Sequence, residues 1–293
     1  MTAAVKPANA AAENLIAFQG EPGAFSDLAC RTVFPAMTTL PCRDFAEAFA
    51  AVQEGRAKLA MIPVENSVAG RVADIYHLLP ESRLHIIAEH FQRVELNLLA
   101  LPGAKLADIK TVTSHVHALG QCRGLIRELG VKAVVAADTA GSAADVARRG
   151  DKTVASIAST LAGELYGLKS LRANVEDAEH NTTRFIVMTT EPINPDPSTP
   201  VVTSFVFRVR NVPAALYKAM GGFATNGVNM TKLESYMLGG NFFATQFYAD
   251  IEGHPEHTPV RLAMEELSFF SREVRILGVY PQHPLRQKKG AGD

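Results

Sequence analysis

The sequence predicts an α/β protein in two parts, a βα-alternating part followed by a smaller βαββαβ unit. Three observations carry this. From residue 15 to about 188, short β-branched apolar runs alternate with stretches of helical periodicity. Four prolines then fall within 191–200, a stretch that can form neither helix nor central strand and reads as an extended linker. Beyond it, residues 201–281 follow the order strand, helix, strand, strand, helix, strand, which is the ferredoxin-like arrangement. A chain of 293 residues is also long for one core.

The elements follow in order. Residues 15–18 are a short apolar strand, and Gly20 and Gly23 let the chain turn before a helix over 27–34. The Gly-x-x-Gly reads either as a tight turn or as a loop that brings N–H groups to a ligand at a helix start. Asp44 with Glu47 three residues on is a box-like helix start. Phe45, Ala48, Phe49 and Val52 then recur at helical spacing until Gly55. A strand over 58–64 completes a βαβ unit, which implies a parallel sheet. Strands over 84–91 and 94–101 cross into a second lobe. There strands at 111–113, 131–136 and 153–157 alternate with helices ending near Gly130, Gly150 and Gly167. After the linker come strands at 201–209, 228–237, 241–251 and 274–279 and helices at 214–223 and 259–270.

Composition excludes several classes. The formal net charge of −1 gives no basic surface for nucleic acid or anionic membrane. Three cysteines (Cys30, Cys42, Cys122) without a Cys-x-x-Cys pair form neither a disulfide framework nor a zinc site. The nine histidines contain no His-Glu-x-x-His pattern, and no apolar run approaches the roughly 20 residues of a membrane span. Residues 1–14 lack a hydrophobic signal core. Segments 1–14 and 282–293, with the basic run 286–289, read as disordered tails. The expectation is a soluble, cytoplasmic protein.

Three places concentrate polar chemistry at strand ends, where open α/β sheets bind ligands. Glu65-Asn66-Ser67, followed by Gly70, reads as a capped helix start or a binding loop. Ser114-His115 sits at a strand-to-helix turn, near Gln121. Asn181-Thr182-Thr183-Arg184-Phe185 enters an apolar strand, and reads as an Asn-led turn or as a site on a rigid sheet.

Taken together and in order, these stretches resemble the prephenate dehydratases. The resemblance rests on Gly20-x-x-Gly23-Ala24-Phe25-Ser26, Pro63 through Gly70, Ser114-His115 with Gln121-Cys122, and Thr183-Arg184-Phe185. Downstream, Leu216-Tyr217 and Asn229 through Ser235 resemble that family's regulatory ACT domain, so the likeness covers about 15–281. It implies a two-lobed, periplasmic-binding-protein-like (type II) catalytic domain over 15–190, with lobe one at about 15–92 and 180–190 and lobe two at 93–179. Linker 191–200 and an ACT domain over 201–281 would complete the chain.

The resemblance further implies decarboxylating dehydration of prephenate to phenylpyruvate, with Thr183 catalytic and no metal or other cofactor needed. Arg184, Phe185, Glu65, Asn66, Ser67, Ser114, His115, Gly20, Gly23 and Gln121 would bind substrate. Phenylalanine would act at Ala214, Ala215, Leu216, Asn229, Glu234 and Ser235, in a homodimer or dimer of dimers. Arogenate dehydratase and a non-catalytic carboxylate sensor are the alternatives.

Three points cut across that pattern. Neighbours on a regular strand face opposite ways, so Thr183 and Arg184 reach one ligand only if the strand is bent there. Val116-His117 stands where the family has Pro-Gln. In the ACT part, Pro213-Ala214-Ala215-Leu216 and Glu234-Ser235-Tyr236-Met237 replace Gly-Ala-Leu and Glu-Ser-Arg-Pro.

Overall fold

The computed structural model describes residues 12–237 and 244–287. In order, the elements begin β1 (Leu15–Gln19), α1 (Phe25–Val33), β2 (Thr38–Cys42), α2 (Phe45–Gln53), β3 (Leu59–Asn66), β4 (Gly70–Arg71), α3 (Ile75–Glu81) and β5 (His85–Arg93). They continue with β6 (Asn97–Ala100), β7 (Thr111–His115), α4 (Val116–Gly120), α5 (Arg123–Leu129), β8 (Lys132–Ala136), α6 (Thr139–Arg149), β9 (Val154–Ala158), α7 (Thr160–Leu165) and β10 (Lys169–Arg172). Last come β11 (Thr182–Thr189), β12 (Val201–Val209), α8 (Ala215–Thr225), β13 (Met230–Met237), β14 (Ala244–Glu252), α9 (Thr258–Phe270), β15 (Ser271–Pro281) and α10 (Pro284–Gln287).

Three sheets result. The first runs β2-β1-β3-β11-β5, with β4 paired to β3; β1 is parallel to β2 and β3. The second runs β10-β6-β9-β7-β8, with β7 parallel to both β8 and β9. The third, β13-β14-β12-β15, is antiparallel throughout and has the ferredoxin-like strand order. By packing, residues up to 72 and 90–185 form one compact unit, while 73–89 and residues from 186 onward form another.

Local chemistry accounts for most boundaries. Asp44 caps α2 by accepting from the Glu47 N–H, and the Glu47 carboxylate accepts from the Arg43 N–H. Asp138 caps α6 and Ser159 caps α7 in the same manner. Gly130 and Gly150 end α5 and α6 in the left-handed conformation.

Strand β2 and helix α3 carry no clear sequence pattern. Pro41 interrupts β2, which is tolerated because β2 is an edge strand. Pro80 closes α3 within its last turn, yet Ile75, Tyr76 and Leu79 on α3 are buried.

In the second unit, one face of the four-stranded sheet holds Phe205, Phe207 and Phe247 against Ala219 and Phe223 of α8 and Ala263 and Leu267 of α9. The other face meets α3, where the Tyr76 ring lies edge-on to Tyr248 with centroids 5.5 Å apart. There Ser204, Tyr248, Asp250 and Tyr280 form a fully buried polar cluster around the Ser204 hydroxyl.

Both expected tails need correction. Ala12–Asn14 form a 3-10 turn, and residues 284–287 form α10. Glu89, whose side chain is fully buried, accepts from Arg286 Nε at 2.6 Å and Nη2 at 2.9 Å, and from the His283 N–H. That ion pair holds the start of the basic run in place. The rest of the expected tails, 1–11 and 288–293, and the start of the strand expected at 241 lie outside the described residues. No helix among the described residues is long and apolar enough to cross a membrane.

Candidate active site

The site candidates meet where the end of β3 lies beside the start of β11. Asn66 is the hub. Its Oδ1 accepts from the N–H groups of Val68 (2.9 Å) and Ala69 (2.8 Å). Those two donors leave no choice over which end of the amide is oxygen. Its Nδ2 therefore donates, to Asn181 Oδ1 at 2.8 Å and to Thr183 Oγ1 at 2.9 Å. Asn181, only 1% exposed, passes the polarity on by donating from Nδ2 to Gln121 Oε1 at 2.9 Å.

Three amides are thus ordered in one direction by two backbone N–H groups. The consequence falls on Thr183. Its oxygen already accepts a hydrogen bond, so its own hydrogen is free to point elsewhere. The side chain is half-buried rather than sealed in the core. Ser67 clamps the same corner: its hydroxyl donates to the His180 carbonyl at 2.7 Å and accepts from the Thr182 N–H.

The difficulty over Thr183 and Arg184 resolves by alternation. Thr183 pairs with Asn66, and Arg184 pairs with Glu65, its Nη1 lying 3.1 Å from Glu65 Oε1. Neighbours on one strand meet neighbours on the other, face by face. Arg184 is 2% exposed and is the largest fully buried side chain, while the Glu65 side chain keeps 35% exposure. A guanidinium in that position holds a carboxylate of the chain, and is no exposed clamp for a ligand.

Other expected ligands are placed differently. Phe185 is 1% exposed and belongs to the core. Ser114 is fully buried and donates to the Ile157 carbonyl at 2.5 Å, which ties β7 to β9. His115 caps α4 through a long contact to the His117 N–H (3.4 Å), and burial, with His117 beside it, lowers its pKa. Neither Ser114 nor His115 bonds to the amide hub.

The Gly20 and Gly23 amides are also committed, to the Cys42 carbonyl and to Asp27 Oδ2. Gly23 does something else. At φ +91° it lies so near α7 that a Cβ would come within 2.8 Å of the Ala162 Cα. Its carbonyl accepts from Ser159 Oγ at 2.5 Å, and the Pro22 carbonyl accepts from the Tyr166 hydroxyl. The Gly-x-x-Gly loop is therefore a joint to the second sheet's helices.

Sequence reasoning left Asp27 unassigned. This fully buried carboxylate takes the Gly23 N–H and Arg31 Nε, and it lies in the first turn of α1 with nothing in the pattern to mark it.

Of the expected effector residues, Ala214, Ala215 and Leu216 line a cavity of about 280 Å³ with Arg210, Tyr217 and Phe247. Asn229, Glu234 and Ser235 do not line it. Asn229 donates to Glu252, and Glu234 pairs with Lys232 on β13. Ala214 adopts the left-handed region (φ +60°) just where the family has Gly.

Comparison with known proteins agrees with this architecture. The sequence pattern of the family described as prephenate dehydratase matches residues 16–193. The chain is 57% identical over 277 residues to a protein of Komagataeibacter europaeus named bifunctional N-acyl-homoserine lactone acylase/prephenate dehydratase, covering 94% of this chain and 99% of that one. It is 39% identical over 285 residues to arogenate dehydratase/prephenate dehydratase 1 of Arabidopsis thaliana, covering 92% and 73%. The solved prephenate dehydratase of Arthrobacter aurescens, in complex with L-Phe, superposes with a TM-score of 0.84 at 30% identity, covering 92% of this chain and 90% of that one. With that match and those identities across nearly its whole length, the chain belongs to the prephenate dehydratase family.

Proposed function

We propose that this chain catalyses the decarboxylating dehydration of prephenate to phenylpyruvate, a step towards phenylalanine, with Thr183 as the catalytic hydrogen-bond donor. The bond from the ring carbon to its carboxylate breaks, and its electron pair enters the ring as the bond to the ring hydroxyl breaks. The departing oxygen takes a proton and leaves as water, carbon dioxide is released, and the ring becomes aromatic. Aromatisation drives the step, so the protein has only to orient the dianion and stabilise the leaving oxygen.

The observation that carries the reading is the Asn66-to-Thr183 hydrogen bond, which leaves the Thr183 hydrogen for the leaving group. Threonine is a very weak acid, so positioned donation is preferred to full proton transfer. Arg184 then acts from beneath, by holding Glu65. Turnover of Thr183→Ala tests this, with circular dichroism to confirm folding. General-acid assistance contributes about 10²–10⁴-fold, and a folded variant with near-normal kcat would remove Thr183 from the role. Binding of prephenate without phenylpyruvate formation would instead identify a sensor. Relatives carry both dehydratase names, so the kcat/KM ratio for arogenate and prephenate decides the substrate.

We also propose that phenylalanine binds at Ala214, Ala215 and Leu216, with Asn229, Glu234 and Ser235 drawn in by pairing of ferredoxin-like units in a cytoplasmic homodimer or dimer of dimers. The L-Phe complex of the Arthrobacter aurescens protein supports the ligand, and calorimetry with sedimentation tests it. The name of the Komagataeibacter europaeus relative favours a second activity, hydrolysis of an N-acyl-homoserine lactone amide. Release of the free homoserine lactone and fatty acid, followed by mass spectrometry, is its test.

A further inference from the structure

A second cavity, of about 230 Å³, lies within the same unit as the first, between α3 and the four-stranded sheet. It shares no lining residue with the cavity at Ala214–Leu216. Its charges are unusual in not being paired with one another. Arg275 donates from Nη1 to the Pro80 carbonyl and from Nη2 to the Ser82 carbonyl, both at 2.5 Å, which satisfies the end of α3. Arg208 donates from Nη2 to Gln246 Oε1 at 3.2 Å, while its Nε is buried without a hydrogen-bond partner among the described residues. The other end of Gln246 is a donor, Nε2, which bonds to the Tyr236 hydroxyl. Glu81 and Glu273 also line the cavity, and neither forms an ion pair among the described residues.

A buried charged donor left unsatisfied is costly, more so than a neutral one. The Nε edge of a guanidinium is also half of the fork that receives a carboxylate side-on. A carboxylate on Arg208 would meet that need. Glu273, the cross-strand neighbour of Arg208 on the sheet wall, and Glu81 on the α3 wall would then favour an ammonium on the same ligand. The volume lies below the roughly 300–1,000 Å³ of drug-sized pockets, too small for a nucleotide and right for one small zwitterion.

We propose that this cavity binds a free α-amino acid, its carboxylate on Arg208 and its ammonium facing Glu273 and Glu81. Because the walls come from α3 and from the sheet, occupancy stabilises their contact. The ligand therefore strengthens the packing of the second unit around residues 73–89.

Calorimetric titration of the full chain with each of the standard L-amino acids tests this. At least one should bind saturably to the wild type. Its Kd should weaken at least tenfold in Arg208→Gln and less than twofold in Tyr217→Ala, which alters the other cavity. No binding by any of them to the wild type, or an unchanged Kd in Arg208→Gln, overturns the proposal. If Arg208→Gln fails to fold, the exposed Glu273→Gln decides: a Kd weakened at least threefold supports the site, and an unchanged Kd overturns it.

Discussion

Replacing Asn66 by aspartate separates the stability of the amide hub from the service it gives Thr183. Asn66 makes four side-chain hydrogen bonds, to Val68 N, Ala69 N, Asn181 and Thr183. At about 1 kcal/mol each, Asn66→Ala should cost roughly 3–4 kcal/mol of stability. Aspartate keeps the acceptor oxygen for Val68 and Ala69, and the chain of amides can reverse. Asn181 turns to donate to the new carboxylate, and Gln121 turns to donate to Asn181. Thr183 must then also donate to that carboxylate, which takes its hydrogen away from the leaving group.

Asn66→Asp should thus be more stable than Asn66→Ala and a poor catalyst beside the wild type. The loss in kcat should be about 10²–10³-fold, as for removal of one preorganised donor. Protonating the introduced carboxylate restores a donor towards Thr183, so activity relative to wild type should recover as the pH falls. Urea unfolding and steady-state turnover between pH 5 and 8 are the assays. A kcat for Asn66→Asp equal to that of wild type, or above that of Asn66→Ala at every pH, would refute the donor assignment.

Three further outcomes follow from other contacts. Arg286→Ala removes two charge-assisted hydrogen bonds from the buried Glu89 carboxylate and should cost about 3–5 kcal/mol; adding Glu89→Gln should restore part of it, as read by denaturant midpoints. Ala214→Gly relieves a left-handed backbone and should raise stability by about 1 kcal/mol in the same assay. Burial holds the His115 imidazole below its usual range, so the unfolded chain binds its proton first as pH falls through about 6.5. Stability from this group is complete above that pH and lost below it, so wild type should lose more stability than His115→Asn between pH 7.5 and 5.5.

Periodicity made the ferredoxin-like unit legible, because its six consecutive elements each carry their own pattern. Asp44 with Glu47 did the same for α2. Strand β2 was not legible, since an edge position forgives Pro41 and so imposes no pattern. At the site, sequence order brought Asn66, Thr183 and Gln121 to attention, but not their division of labour. A serine at a strand end looks the same whether it faces a ligand or, like Ser114, a neighbouring carbonyl. Arg184 reads as a surface cation, and the partner that pairs with it, Glu65, lies 119 positions away. Such long-range pairing leaves no local trace.

The placement of α3 bears on how this protein can be divided. The proline-rich stretch 191–200 invites a cut, and a chain ending there would keep every residue of the amide hub. It would also keep α3 while losing the sheet that covers it. Tyr76, now buried against Tyr236 and Tyr248, would lose that cover, at about 1.5–3 kcal/mol for a large apolar side chain fully exposed. A fragment cut there would expose an apolar ring on α3, the helix that follows β4. A clean separation of the two parts requires a redesigned α3, with a polar residue in place of Tyr76.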